Sequence, residues 1–334
     1  MAKTYKDIYP NVYSFESLYE GYLRARKGKR YRPEVLRFTK CLEENLIHLQ
    51  NELIWKMYKT GRYREFYVYE PKQRTIAALP FRDRVVQHSL VAAIEPLWER
   101  QFIFDSYACR IGKGTHAGVD RAQFFLRRQR HRSGLVYVLK CDINKYFASI
   151  NHKVLKQLLR RRITCPDTLW LLDEIVDSTP DPGIPIGNLT SQLFANIYLH
   201  ELDEFVKYGL KEPTYMRYMD DFIVVHHDKS YLQGLRQKIE TFLNEHLSLI
   251  TNGKTQIFPV SATRGRALDF LGYKIWPTHR RLRKDSVRRM RQKLRLFRKN
   301  KISQEEFQRS LNAWLSHAGH ADTHNLQNKL LKEI

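Results

Sequence analysis

The chain has 334 residues, 43% of them hydrophobic, which suits one large or two modest domains and excludes a disordered chain. Lys and Arg number 58 against 35 Asp and Glu, a net charge of +23 that points to a polyanionic partner, nucleic acid above all. The basic residues are spread along the chain, no apolar run exceeds five residues, and Met1 to Thr4 lacks the apolar core of a signal peptide, so neither a membrane partner nor secretion is expected.

Taken in chain order, Phe15, Leu18, Tyr19, Tyr22 and Leu23 share a helical face behind a Ser14 cap. A longer helix is expected from Pro33 towards Gly61, with Phe38, Leu42, Leu46, Leu49, Leu53 and Met57 as its apolar stripe. Two short strands, Phe66 to Tyr69 and Ile76 to Leu79, flank a basic turn holding Lys72 and Arg74. Residues 83–98 read as helix, and 135–143 as a mostly buried strand ending in an acid. Helices are expected over 152–162, 190–208 and 230–247. Between the last two, Tyr215 to Met219 and Phe222 to Val225 form a hairpin around Asp220 and Asp221. Short strands follow near 255–260 and 268–276. Beyond Pro277 the chain reads as helical, with twelve Lys or Arg and one acid over 279–301. There Val287, Met290, Leu294 and Phe297 share a face and Arg288, Arg291 and Arg295 lie outside it, an arrangement that fits a solvated face or a helix along a duplex.

The chemistry sits in the acids. Asp220 and Asp221 alone would fit an ordinary turn, since Asp favours turns. Asp142 is a further acid at the end of another buried-type strand. Carboxylates gathered on neighbouring strands repel unless a cation joins them, and hard oxygen ligands suit Mg²⁺. Two such ions about 4 Å apart would clamp an in-line phosphoryl transfer, an arrangement that polymerases and nucleases share. Cys41, Cys109, Cys141 and Cys165 form no C-x-x-C pair and fit reduced thiols in a cytoplasmic protein. His317, His320 and His324 lack the Cys or carboxylate companions of a zinc site.

Tyr218-Met219-Asp220-Asp221 resembles the Tyr-x-Asp-Asp box of reverse transcriptases. Phe81 to Gln87, Tyr107 to Arg110 with Gly114 to His116, Asp142 to Phe147, Gly187 to Gln192, Lys254-Thr255 and Phe270 to Tyr273 resemble the family's other blocks, in the family's order. In most reverse transcriptases a Gln precedes the Gly near residue 187 and a Pro follows the Ser. Here the run is Ile186-Gly187-Asn188-Leu189-Thr190-Ser191-Gln192, which resembles the enzymes of diversity-generating retroelements, as do Ile275 to His279 and Ala321 to Leu326.

The resemblance implies an α+β right-hand polymerase with an N-terminal helical extension (1–65), fingers and palm (66–276) and a basic helical thumb (277–334). It implies two Mg²⁺, with Mn²⁺ as the alternative ion, at Asp142, Ile143, Asp220 and Asp221. Lys254 would act beside them in catalysis. The nucleotide would meet Lys72, Arg74, Phe147 as an aromatic gate under the sugar, Ile186, Gly187 and Gln192. Phe270, Leu271, Gly272 and Tyr273 would grip the primer, and Arg110, Lys113, Arg288, Arg291 and Arg295 would hold nucleic acid. The partners implied are template RNA, RNA/DNA hybrid, deoxynucleotides and a small basic accessory variability determinant, with copying errors opposite adenine. The length leaves no room for an RNase H or endonuclease domain after the thumb. A retron or group II intron enzyme, and a catalytically inactive RNA-binding protein, are the rival readings; the intact trio of acids argues against the second.

Overall fold

In the computed structural model, which describes residues 4–69 and 73–332, the chain opens with a layer of helices. α1 (Pro10–Tyr13) leads into α2 (Phe15–Ala25), which starts where the Ser14 hydroxyl accepts from the Ser17 N–H. The single helix expected over 33–61 is two, α3 (Pro33–Lys40) and α4 (Leu42–Ile54). Cys41 leaves helical geometry between them, at φ −122° and ψ 53°, and Lys56 turns left-handed just past the end of α4, well short of Gly61. Leu46, Leu49 and Leu53 are buried as the stripe demands, whereas Met57 lies beyond the helix and is exposed.

The hairpin of β1 (Arg64–Val68) and β2 (Arg74–Ala78) precedes α5 (Phe81–Glu99), whose buried positions go all round the helix. α6 (Thr115–Ser133) follows, a helix that the spacing of apolar residues did not announce. β3 (Tyr137–Asp142) runs into a 3₁₀ turn at Tyr146–Ser149, then α7 (His152–Arg160), α8 (Pro166–Val176) and α9 (Leu189–Glu204), which continues as a π-helical turn over Phe205–Gly209. β4 (Tyr215–Tyr218), β5 (Asp221–His226), α10 (Lys229–Leu247) and β6 (Gln256–Pro259) complete the centre.

The central sheet has the order β4-β5-β3-β6, every neighbour antiparallel. Its strands alternate between two hydrophobic cores. Leu139, Cys141, Tyr215, Phe222 and Val224 face one core, and Val138, Met216, Ile223, Val225 and Phe258 the other. The first core takes in the N-terminal layer through Val12, Leu18, Leu46 and Leu53, so residues 4–65 pack as part of the body.

The second core is closed by the C-terminal region. β7 (Leu268–Phe270), β8 (Tyr273–Ile275) and β9 (Arg280–Leu282) form a small antiparallel sheet, followed by α11 (Lys284–Arg298), α12 (Gln304–Ala318) and α13 (His324–Leu331). The helix expected from residue 279 thus begins at Lys284. The Trp276 N–H bonds the His279 carbonyl at 2.8 Å, which folds the chain back and makes Arg280–Leu282 a strand against β8. Met290 and Leu294 of α11 and Phe307, Leu311 and Trp314 of α12 pack into this core. Among the described residues no helix is long and apolar enough to cross a membrane.

Candidate active site

Register brings the acids together. Asp142 of β3 stands opposite Asp221 of β5, and Asp221 stands opposite Tyr218 of β4. Only Met219 and Asp220 remain as the turn between β4 and β5, so Asp221 belongs to the strand. Met219 has φ +54°, the left-handed conformation that so tight a hairpin needs. The Ile143 N–H reaches the Asp220 carbonyl at 3.3 Å and fastens the turn to the end of β3.

All three acids are partly buried. Burial pushes the Asp221 carboxyl up to about 6, against the pull of the Lys140 ammonium, whose Nζ lies 3.3 Å from Asp221 Oδ2; Asp142 and Asp220 push it further up. Burial also raises Asp220, with Asp142 adding to the rise and Arg74 and Arg217 opposing it. Asp221 Oδ1 is buried without a hydrogen-bond partner. Like charges on adjacent strands with an orphaned oxygen fit a divalent cation, and carboxylate oxygens are the donors Mg²⁺ takes. The trio is not a closed cage, for among the described residues no three His, Cys, Asp or Glu are gathered closely enough to hold an ion unaided. Mg²⁺ ordinarily completes its shell with water and substrate phosphates, so an open set of carboxylates suits it.

Several residues at the site are invisible to sequence pattern. Asn252 Nδ2 donates to Asp142 Oδ2 at 2.6 Å and its backbone N–H to the Asp142 carbonyl at 2.8 Å; 110 residues separate the pair, and no spacing announces it. Lys140 was findable, because residues two apart on a strand share a face. Its Nζ also donates to the Asp269 carbonyl at 2.9 Å and so links the acids to β7. Behind the turn, Arg217 and Asp203 form a fully buried ion pair at 2.6 Å.

The other expected residues lie as follows. Arg74, on the hairpin, is close enough to favour the charged form of Asp220. Lys72 lies outside the described residues. Phe147 is half-buried in the 3₁₀ turn after β3. The Ile186 carbonyl accepts from the Ala77 N–H at 3.0 Å. Gly187, at φ +129°, has room for no side chain, since a Cβ would stand 2.8 Å from the Ala77 carbonyl oxygen. Its close approach is to the hairpin backbone. Gln192 is exposed on α9 and shares a cleft with Glu95, Glu99 and Cys109. Lys254 is exposed, its backbone held by Asn252 Oδ1.

Two sets of expected residues are engaged within the fold. The Phe270 and Tyr273 side chains are wholly buried in the second core, and of the four expected residues only Leu271 and Gly272, the left-handed turn between β7 and β8, reach the surface. Arg110 is engaged by Glu99, at 2.8 Å, and by the carbonyls of Ile103 and Ser106, which leaves its guanidinium no free edge for a phosphate. Lys113 donates to the Phe104 carbonyl and lies over the Phe104 ring. Arg288, Arg291 and Arg295 are exposed on α11, Arg288 beside Asp285.

Residues 60–275 match the family described as reverse transcriptase (RNA-dependent DNA polymerase), about two thirds of the chain. Protein YkfC of Escherichia coli K12 is 26% identical over 253 residues, covering 63% of this chain and 66% of that protein. The group II intron-encoded protein LtrA of Lactococcus lactis is 26% identical over 144 residues, covering 40% of this chain and 23% of that protein. The match therefore spans less than two thirds of either relative. Apo telomerase from Candida tropicalis, truncated from its C-terminal domain, superposes with a TM-score of 0.51 at 12% identity, over 68% of this chain and 55% of that one. Helices around small antiparallel sheets, shared with that enzyme, make this an α+β right-hand polymerase fold.

Proposed function

The chain belongs to the reverse transcriptases, and from that premise we propose that it is an RNA-directed DNA polymerase, adding deoxynucleotides to a primer along an RNA template. The observation that carries the proposal is the pairing of Asp142 with Asp221 beside Asp220, with one carboxylate oxygen buried and unpartnered. Asp142, Asp220 and Asp221, with the carbonyl of Ile143, would hold Mg²⁺ or Mn²⁺, which when bound stabilises charge on the attacking 3′-oxygen and the departing pyrophosphate. Asn252 fixes the Asp142 carboxylate and Lys140 that of Asp221. Arg74 meets the triphosphate from the hairpin, a contact that the sequence resemblance also gives to Lys72; Phe147 lies under the sugar and excludes a 2′-hydroxyl, and Lys254 supplies a proton to the leaving group. The Leu271–Gly272 turn holds the primer end, and Arg288, Arg291 and Arg295 follow the hybrid. Residues 66–276 serve as fingers and palm and 277–334 as the thumb. Extension of a DNA primer on an RNA template with Mg²⁺ is the test; no product with either Mg²⁺ or Mn²⁺ would refute the proposal.

Within the family we infer a diversity-generating retroelement enzyme that copies a template-repeat RNA, errs opposite adenine and works with an accessory variability determinant. The support is the run from Ile186 to Gln192, where Ile186 offers neither the donor nor the acceptor of an amide. One lost hydrogen bond is worth about 1 kcal/mol, roughly fivefold in discrimination, so a second element, Gln192 or the partner, must share the effect. The similarity to LtrA favours a second reading, an enzyme of the group II intron type. A wild-type error spectrum biased towards template adenine would favour the first reading, and the double change Ile186→Gln with Gln192→Pro tests the two residues. Errors opposite adenine should fall while errors at the other bases stay level, read by sequencing cDNA. An adenine spectrum unchanged in an active variant places the determinant outside Ile186 and Gln192.

A further inference from the structure

Arg217 lies three residues before Asp220, and its side chain is wholly buried. Its Nε and one terminal nitrogen grip both oxygens of Asp203, at 2.7 and 2.6 Å. The other terminal nitrogen donates to Asn196 Oδ1 at 3.3 Å and to the Met219 carbonyl at 3.1 Å. Both anchors sit on α9 and are themselves held: Asp203 accepts from the Tyr215 hydroxyl at 2.6 Å, and Asn196 donates to the Ala108 carbonyl at 2.9 Å. The Arg217 backbone is fixed too, its N–H on the Asp105 carbonyl at 2.9 Å and its carbonyl on the Tyr107 N–H at 3.0 Å.

The group that this frame holds is the turn. Met219 is left-handed without being glycine, a conformation that side chains disfavour and that needs support. Its carbonyl belongs to the peptide unit leading into Asp220, so whatever fixes that carbonyl fixes the direction in which the Asp220 side chain leaves the backbone. Arg217 supplies a planar, charged, doubly anchored donor for it, a task a lysine cannot copy because one ammonium cannot span both Asp203 oxygens and the carbonyl.

We propose that Arg217, anchored on Asp203, is a positioning residue that locks the Met219–Asp220 turn and thereby aims Asp220 at its metal ion. The inference rests on the polymerase reading for its consequence in catalysis, though not for the state of the turn. In Arg217→Lys, kcat for primer extension falls at least thirtyfold while KM for the nucleotide and Kd for the hybrid stay within about twofold, the pattern of an interaction needed only in the transition state. Asp203→Asn gives the same split in milder form and decides the matter should the lysine variant fail to fold. The double variant is no worse than Arg217→Lys alone, because the two act as one unit.

Methyl-labelled methionine gives the readout that needs no activity. Met219 has four fellow methionines, among them Met57 and Met290 far from the turn in the chain. Loss of the lock shifts and broadens the Met219 methyl signal and leaves Met57 and Met290 in place. General loosening would move Met290, which is buried in the second core. An unmoved Met219 signal, a wild-type kcat in folded Arg217→Lys, or a loss of rate that follows the melting temperature each overturns the proposal. If the wild-type chain extends no primer, the polymerase reading fails while the methyl spectra still decide whether Arg217 locks the turn.

Discussion

At the scale of single residues, the site depends on charge held where it is disfavoured. Asp220→Asn keeps the shape of the side chain and removes its charge. Losing that stabilisation in the transition state costs about 4 kcal/mol, roughly a thousandfold in single-turnover extension rate. Hybrid affinity, which phosphate contacts dominate, should hardly change in a filter-binding assay. Near-normal extension would remove Asp220 from the ligand set. The acids were legible because each ends an apolar run, and such runs announce strands. Their supports were not. Asn252 meets Asp142, and Asp203 meets Arg217, only because the sheet and α9 bring distant segments together, and no local pattern records that.

Elements were legible where apolar spacing was regular and undisturbed. α10 follows its pattern to within one residue, β3 to within two, and the β4–β5 turn falls one residue earlier than expected. α6 was missed because its buried face includes Gly118, Gln123 and Gln129 among Val119, Ala122, Phe125 and Leu126, so its stripe reads as polar. The break at Cys41 escaped for the opposite reason, since the hydrophobic stripe runs straight across it. In α11 the amphipathic reading holds, with Met290 and Leu294 inside and the arginines outside. Replacing Arg288, Arg291 and Arg295 with Gln should weaken hybrids of every sequence alike. It should also flatten the log–log dependence of binding on salt by roughly one unit for each phosphate that is no longer neutralised. An unchanged slope would place these residues against solvent or a protein.

At the scale of the molecule, one sheet serves two cores, and the C-terminal region is joined to the body through the second. The seam carries titratable groups. His116 of α6 stacks on His320 with ring centroids 3.5 Å apart, and the Tyr273 hydroxyl donates to the His317 carbonyl at 2.8 Å and lies 2.8 Å from His317 Nδ1, with the Asp120–Arg280 ion pair close by. Burial first, and then the neighbouring imidazoles, hold His116 and His317 below the ordinary range. The folded protein therefore binds fewer protons here than the unfolded chain. The stability this seam contributes is complete above about pH 6.5 and is lost as the pH falls below it. Melting temperature should drop between about pH 7.5 and 5.5, and His116→Gln should drop less. Equal drops in the two proteins would show that the acid sensitivity arises elsewhere.

Ile186 and Gly187 are neighbours with opposite obligations. The tie between the β1–β2 hairpin and the loop before α9 is made at Ile186 by the main chain alone, through the Ala77 N–H. At Gly187 any side chain would collide with that same strand. Position 186 can thus accept many side chains without untying the hairpin, whereas position 187 can accept none. Substitution at one residue therefore leaves the join between hairpin and loop fastened, whereas any side chain at the next would pry it apart.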